Sequence, residues 1–562
     1  MDATLTGVLR GSVERNARRK RWLSMIHKLP REEGLNHVEE YSLGLQKSAR
    51  FITFVRAHGI HDVDEQEDLA EGLGDVLPID MHRKMFIPAL YLSMTPEQLQ
   101  TWLPLALSYR ILGAYAQTEL GHGSNVQGIE TTATYDASSH TFVLHSPTLT
   151  SRKWWPGGMG KTANFAVVYA RLLSKAVDFG VHAFLVQLRD LATHQSLPGI
   201  SLGDIGPKVA FNMVDNGYCV FDHVHVPASQ LCLATARVRW QRRVDGRFDL
   251  IPFLGTPSDT KWTYMPMVKT RVFLVAKCAR FLGRAIAFSS ENPTASLLPH
   301  AGLAFAAAFA GHQLLQSYQV VMAKRAQRSA HQTCSDQEEL SALAAQLHAT
   351  SSGLKAFVAS DVVDGIECCM QNVPSSFLTR LRCDIVGAST YEGTFDVLVQ
   401  QHAAFLVKTR KGEQREHLDL PRSKDWKSLD TLVRSFHIRA QEMLQAYGAT
   451  SRLSMARATR LSVVHSEAAL LQAMHDLIMR VQSPEAAASL TRLGRAMAYR
   501  WMAKGLHEFR WNGWLSSSDG HDIIHHLIDP TPRECREWLA VMASWDFTQD
   551  EVPVTGLLEG KL

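Results

Sequence analysis

Cysteine is scarce in this chain: eight of 562 residues, with no CxxC pair and a single adjacent pair, Cys368 and Cys369. Disulfide scaffolds and zinc modules need denser, regularly spaced cysteines, so both are excluded as organising devices and a reducing compartment is implied. Charge of one sign is missing too. Lys and Arg total 59 against 55 Asp and Glu, a formal charge of +4, which gives no bulk attraction toward nucleic acid. Long apolar runs are also absent, whereas a membrane span takes about 20 predominantly apolar residues. The longest uncharged stretch, 292–323, has two prolines early and is broken later by His312, Gln313, Gln316 and Gln319; it reads as a buried helix in a bundle. The opening residues, MDATLTGVLRGSVERNARRKRW, have no apolar core of the secretory kind. Their arginines lie among acids, Asp2 and Glu14, which reads as a solvated basic helix face rather than a mitochondrial presequence or a nuclear signal. No repeat of fixed period is found.

What is present is ordinary globular material, 46% hydrophobic and 20% charged, enough for several domains. The texture predicts a mainly α chain with a central β domain. Residues 1–110 carry helical apolar spacing, and TPEQLQTWLPLAL opens on a threonine cap. Residues 111–245 are rich in β-branched runs bounded by turn residues, among them TFVLHSP, NFAVVYARLL, VHAFLVQL and GYCVFDHVHVP, which predict a small barrel or sandwich. Residues 246–415 return to long amphipathic or buried helices. A polar connector, KTRKGEQREHLDLPRSKD, leads into a second helical block, so the last domain spans 416–562.

The densest chemical signal lies in the β region. YAQTELGHGSNVQGIETTATYD holds Gly121, Gly123 and Gly128 among hydroxyls and amides, and TSRKWWPGGMGKTANFA places two tryptophans before Pro156, Gly157 and Gly158. Glycines let a backbone approach a ligand closely and offer bare N–H groups; adjacent aromatics can stack on a planar ring. On residue chemistry alone, a site for a flat anionic cofactor and a pair of tight turns with core tryptophans stand about even. One acid is also singled out by its context. Glu392 in YEGTFDVLVQQHAAFLV sits beside a glycine, ahead of an apolar helix on which Phe395, Leu398, Phe405 and Leu406 share a face. Helix-start carboxylates are common because the helix dipole favours them.

Those stretches, together with DIGPKVAFNMVDNGYCVFDHVHVP and SGLKAFVASDVVDGIE, resemble the peroxisomal acyl-CoA oxidases, most nearly a divergent member. The likeness runs from the N-terminal helices to LDTLVRSFHIRAQEMLQAYG. It implies the acyl-CoA dehydrogenase/oxidase-like fold: an N-terminal helical domain, a β-barrel or sandwich, a long-helix bundle and a second C-terminal helical domain. It further implies FAD as cofactor, a fatty acyl-CoA substrate desaturated at Cα–Cβ in fatty acid β-oxidation, oxygen as electron acceptor with release of hydrogen peroxide, and a homodimer. By the same resemblance Glu392 is the general base, and Thr118 and Gly157 are flavin contacts. No metal is expected.

Two segments depart from the family pattern. Where the family ends a bundle helix in an arginine and glutamine cluster that supports the flavin pyrophosphate of a neighbouring subunit, this chain has GRAIAFSSENPTASLLPHAGL, with Arg284 its only strongly basic residue. Arginine's planar fork suits phosphate, so weaker FAD binding is expected. The family's glycine-glycine-histidine-glycine-tyrosine loop is replaced by the shorter MQNVPSSFLTRLRCDIVGASTYEG. Both departures motivate a second expectation, a catalytically impaired acyl-CoA-binding relative on the same scaffold. The ending EGKL resembles a peroxisomal targeting tripeptide with glycine in its first position, so a peroxisomal location is expected ahead of a cytosolic or mitochondrial one. His521 and His525 have the four-residue spacing that suits zinc, but the glutamate of that motif is missing, and surface or core histidines are the expectation.

Overall fold

Side chains at the chain's turning points explain where its elements start. The computed structural model describes residues 3–26, 29, 34–175, 177–236, 238–252, 265–290, 294–327, 334–409, 425–448, 453–511, 514–528, 538–548 and 551–553. Most of the polar connector after residue 409 and the terminal EGKL lie outside the described residues. Helices α1 (Ala3–Arg10), α2 (Val13–Met25), α3 (His37–Ala57), α4 (Val63–Gly72), α5 (Ile87–Ser93) and α6 (Pro96–Leu107) come first. Asn36 caps α3 in a reciprocal box with Glu39, and Thr95 caps α6 with Gln98 while Pro96 takes the first helical position, each arrangement satisfying otherwise orphaned N–H groups.

The strands are β1 (Gly113–Ala116), β2 (Thr132–Asp136), β3 (Thr141–His145), β4 (Lys153–Gly157), β5 (Phe165–Ser174), β6 (Val177–Gln187), β7 (Ile200–Asp204), β8 (Asn216–Phe221), β9 (Val224–Pro227), β10 (Val238–Arg242) and β11 (Phe248–Pro252). The largest sheet runs β1-β5-β2-β3-β9, with β6 also on β5; a second runs β4-β8-β7; β10 and β11 form a hairpin. In β3 Phe142 and Leu144 point inward while Thr141, Val143 and His145 are partly exposed, the alternation of a half-buried strand. The core of this region gathers Phe142, Leu144, Val168, Leu172, Phe184 and Phe221.

The later helices are α7 (Met265–Ser289), α8 (Leu298–Ala326), α9 (Cys334–Asn372), α10 (Ser376–Val386), α11 (Phe395–Thr409), α12 (Leu429–Gly448), α13 (Met455–Ile478), α14 (Pro484–Lys504), α15 (Leu506–Trp511) and α16 (Ser517–Ile528). The alanine-rich half of α8 is buried from Leu298 to Gly311. Gly302 is needed there, because a Cβ would come within 2.4 Å of the Leu493 carbonyl on α14. No helix among the described residues is long and apolar enough to cross a membrane.

The chain divides into two compact units, residues 24–267 and residues 1–23 with 268–562. Within the second unit, α1 and α2 are tied to the C-terminal segment. Arg10 and Arg19 donate to the Glu551 carboxylate at 3.3 and 2.9 Å, and also to the carbonyls of Trp545 and Asp546.

Candidate active site

Glu392 lies in a turn between α10 and α11, three residues before the helix begins. Its φ is +60°, and that of Gly393 is +109°. A left-handed glutamate is costly and needs support from its surroundings. Gly393 is required on two counts: its φ, and the 2.7 Å that would separate an added Cβ from Leu398 Cδ2. The support comes from two long helices. Lys355 on α9 donates through Nζ to the carbonyls of Tyr391 (2.8 Å) and Gly393 (2.7 Å). Arg271 on α7 donates through Nε to the Glu392 carbonyl at 2.9 Å, and through Nη1 to Ser352 Oγ and Gln401 Oε1. Three consecutive carbonyls are thus held by two buried cations.

The Glu392 side chain is itself only partly buried, and among the described residues its carboxylate has no hydrogen bond or ion pair. Its carboxyl is pushed above the ordinary glutamate range by burial, against the downward pull of Arg271 and Lys355. Burial also pushes the Lys355 amine down to about 8 and the Arg271 guanidinium down to about 10, with the Glu392 charge opposing both shifts. Lys355 additionally faces the buried thiol of Cys278, and Arg271 faces His348, whose imidazole burial holds near 4. The arrangement is that of a proton acceptor: an unpaired, half-buried carboxylate, poorly solvated and rigidly presented.

In the other unit, Thr118 is half-buried between β1 and β4. Its carbonyl accepts from Trp154 N–H at 3.1 Å, while among the described residues its own N–H and hydroxyl have no partner. Its position is fixed by its neighbours. Glu119 and Lys153 form a fully buried ion pair at 3.0 Å. Glu119 also accepts from the N–H groups of Glu130 and Thr131, and Lys153 donates to the Tyr169 and Gln117 carbonyls. Every charge-bearing atom of the pair is hydrogen-bonded, which is what makes such burial tolerable. Strand β4 bulges between Trp154 and Gly157. Within the bulge Trp155 has φ +83° and is 55% exposed, an aromatic surface turned outward. Gly157 is buried, and a Cβ there would touch Met81 Cε and Val214 Cγ1 at 3.3 and 3.4 Å, so the glycine admits those side chains.

The other residues marked by sequence fall elsewhere. Arg284 is buried and donates from Nε to the Glu551 carbonyl at 2.6 Å; the strongly basic residue left in the departing segment thus holds the chain's own residue 551. Between α9 and α10 only residues 373–375 remain, and the middle of the departing segment MQNVPSSFLTRLRCDIVGASTYEG is helix α10. His521 and His525 are exposed on α16 and belong to no metal-ligating group among the described residues. On α11 the buried face is Leu398, Val399, His402 and Ala403, with Phe395 and Leu406 partly covered and Phe405 half-exposed; His402 enters this face by hydrogen-bonding Ser462. Arg271 and Lys355 were not marked by sequence. Each is a lone cation in an apolar helix stretch, TRVFLVA and GLKAFVA, and a charge placed on a buried face is the signal that would have found them.

Known families match in the same chain order. The acyl-coenzyme A oxidase N-terminal family matches residues 2–112, the acyl-CoA dehydrogenase middle domain residues 114–224, and the acyl-CoA oxidase C-alpha1 domain residues 291–407. The peroxisomal acyl-coenzyme A oxidase 1 of Homo sapiens is 35% identical over 441 residues, covering 72% of this chain and 64% of that protein. The protein of the same name from Mus musculus is 32% identical over 499 residues, covering 78% of this chain and 72% of its own length. The chain therefore spans just under two thirds of the human relative. Among solved structures, Arabidopsis thaliana acyl-CoA oxidase 1 superposes with a TM-score of 0.86 at 27% identity, covering 97% of this chain and 90% of that one. Acyl-CoA oxidase-1 of Caenorhabditis elegans, complexed with FAD and ATP, gives 0.82 at 25% identity, covering 97% and 89%.

Proposed function

Because this chain belongs to the acyl-CoA oxidase family and has its fold, we propose that it oxidises fatty acyl-CoA to trans-2-enoyl-CoA, with FAD as cofactor and oxygen as acceptor, forming hydrogen peroxide. The observation that carries this reading is the Glu392 carboxylate, half-buried and unpaired among the described residues, on a clamped left-handed turn. Glu392 takes the α-proton of the thioester, a weak carbon acid. A carboxylate with a raised pKa is a stronger base for that step. Bound here, FAD would supply the acceptor for the hydride that leaves Cβ as the α-proton departs. The chain's part in holding it falls to Thr118, whose N–H and hydroxyl are free to bond it, and to the Trp155–Gly157 bulge, where an outward aromatic face suits a flat ring. The Glu119–Lys153 pair keeps these two segments in register. The relatives' peroxisomal names support a peroxisomal location, and the family's shared flavin site supports a homodimer.

The test is the visible spectrum of purified protein given excess FAD, then long-chain acyl-CoA without air. A retained flavin band that bleaches with substrate is expected. Glu392→Gln should keep the band and lose bleaching by about 10²- to 10⁴-fold in rate, the usual worth of a positioned base; full activity in that variant would remove Glu392 from the role. A second reading is favoured by Arg284, which is committed to Glu551 rather than open to a phosphate. It holds that the chain binds acyl-CoA without turnover, and it is the outcome if the purified protein is colourless and yields no peroxide with any acyl-CoA.

A further inference from the structure

We propose that Lys355 is a positioning residue for the reaction: its ammonium staples the two ends of the Glu392 turn, so that the base is presented in one geometry and beside a fixed positive charge. This rests on the reading of Glu392 as base. The geometry is specific. The two carbonyls that Lys355 holds, those of Tyr391 and Gly393, lie on either side of Glu392, whose φ is +60°. A single donor atom bridging residues on either side of a strained position opposes the relaxation that strain favours. Arg271 holds the middle carbonyl from another helix, so neither cation alone defines the turn. Lys355 comes from α9, which packs on α11, and so links the turn to the helix that follows it.

A neutral donor would satisfy the same carbonyls with less desolvation, so the charge needs its own account. The groups facing Glu392 are Arg271 from α7 and Lys355 from α9; Tyr391 beside it is half-buried and uncharged, and Cys278 faces Lys355 and Tyr391 from α7. Both cations favour the ionised acid, in opposition to burial. Without Lys355 the acid would be held protonated to higher pH, out of use as a base.

The experiment compares full-length protein, Lys355→Met and Lys355→Arg, each loaded with FAD. In Lys355→Met, kcat should fall on the order of a hundredfold, as a displacement of about 1 Å costs, with little change in KM. The acid limb of the kcat profile should move to higher pH. Lys355→Arg keeps charge and donors and should leave the acid limb in place while recovering part of kcat. Independently of turnover, backbone amide exchange over 390–394 should quicken in Lys355→Met while α13 exchanges as before. Uniformly faster exchange throughout would mark a general stability residue and overturn the proposal, as would an unchanged acid limb with kcat within about threefold of the parent. If the parent oxidises no acyl-CoA, the base reading fails instead; the exchange arm still decides whether Lys355 holds the turn, and unchanged exchange there overturns that too.

Discussion

Glu392 combines two costs: a left-handed backbone at φ +60° and a carboxylate that burial disfavours when ionised. Stability alone would choose glycine at this position, since glycine adopts such a φ freely. Glu392→Gly is therefore expected to unfold no more easily than the parent, and to be more stable by about 1 kcal/mol, while losing activity. Urea denaturation of both proteins checks the sign; a clear loss of stability would mean that the glutamate side chain contributes to the fold. The acid and its glycine were legible in the sequence, because a family resemblance marked them. The cations that hold them were not. Arg271 and Glu392 are 121 positions apart, and Lys355 and Gly393 are 38 apart; nothing local in either helix announces that this buried cation meets a backbone carbonyl.

Among the elements, the strands of residues 111–235 were legible as β-branched runs between turn residues, and NFAVVYARLL became the middle of the largest sheet. The hairpin of β10 and β11 was less so. Its Asp245–Gly246 turn, with Gly246 at φ +82°, is a hairpin signal in a stretch whose charged residues obscured the alternation, and β11 lies wholly beyond residue 245. The buried pair joining the segment after β1 to β4 was also hidden, since a lysine before two tryptophans looks like a surface residue. Removing one member strands the other. Lys153→Met is expected to destabilise the β region by about 3–5 kcal/mol and to lower FAD retention, whereas Glu119→Gln combined with Lys153→Met should recover part of the stability. Chemical denaturation of Lys153→Met, Glu119→Gln and the double variant reads both; a double-variant loss equal to the sum of the two single losses would show that the charges are not coupled.

At the scale of the whole molecule, Glu551 gathers Arg10, Arg19 and the Thr548 N–H on its carboxylate, and Arg284 on its carbonyl. Although burial opposes its charge, the arginines hold its carboxyl down at about 2, against 4.5 unperturbed. The folded pKa is depressed, so the stabilisation is present above the unfolded value and is lost as pH falls from about 5 toward 2. It amounts to something on the order of 3 kcal/mol. Acid titration followed by circular dichroism should show the helical unit loosening over that range, and Glu551→Gln should flatten the dependence; an identical acid transition in the variant would assign it to other carboxylates.

That same junction gives the molecule an order of assembly. Residues 24–267 form a continuous segment and can close while the rest of the chain is still being synthesised. The unit made of 1–23 with 268–562 is interrupted by that segment, and α1 and α2 find their arginine partners only when residues 545–551 have left the ribosome. The first helices made thus complete their contacts among the last. Until then Arg10 and Arg19 lack the Glu551 carboxylate, and a chain cut short before that residue would leave the junction permanently open.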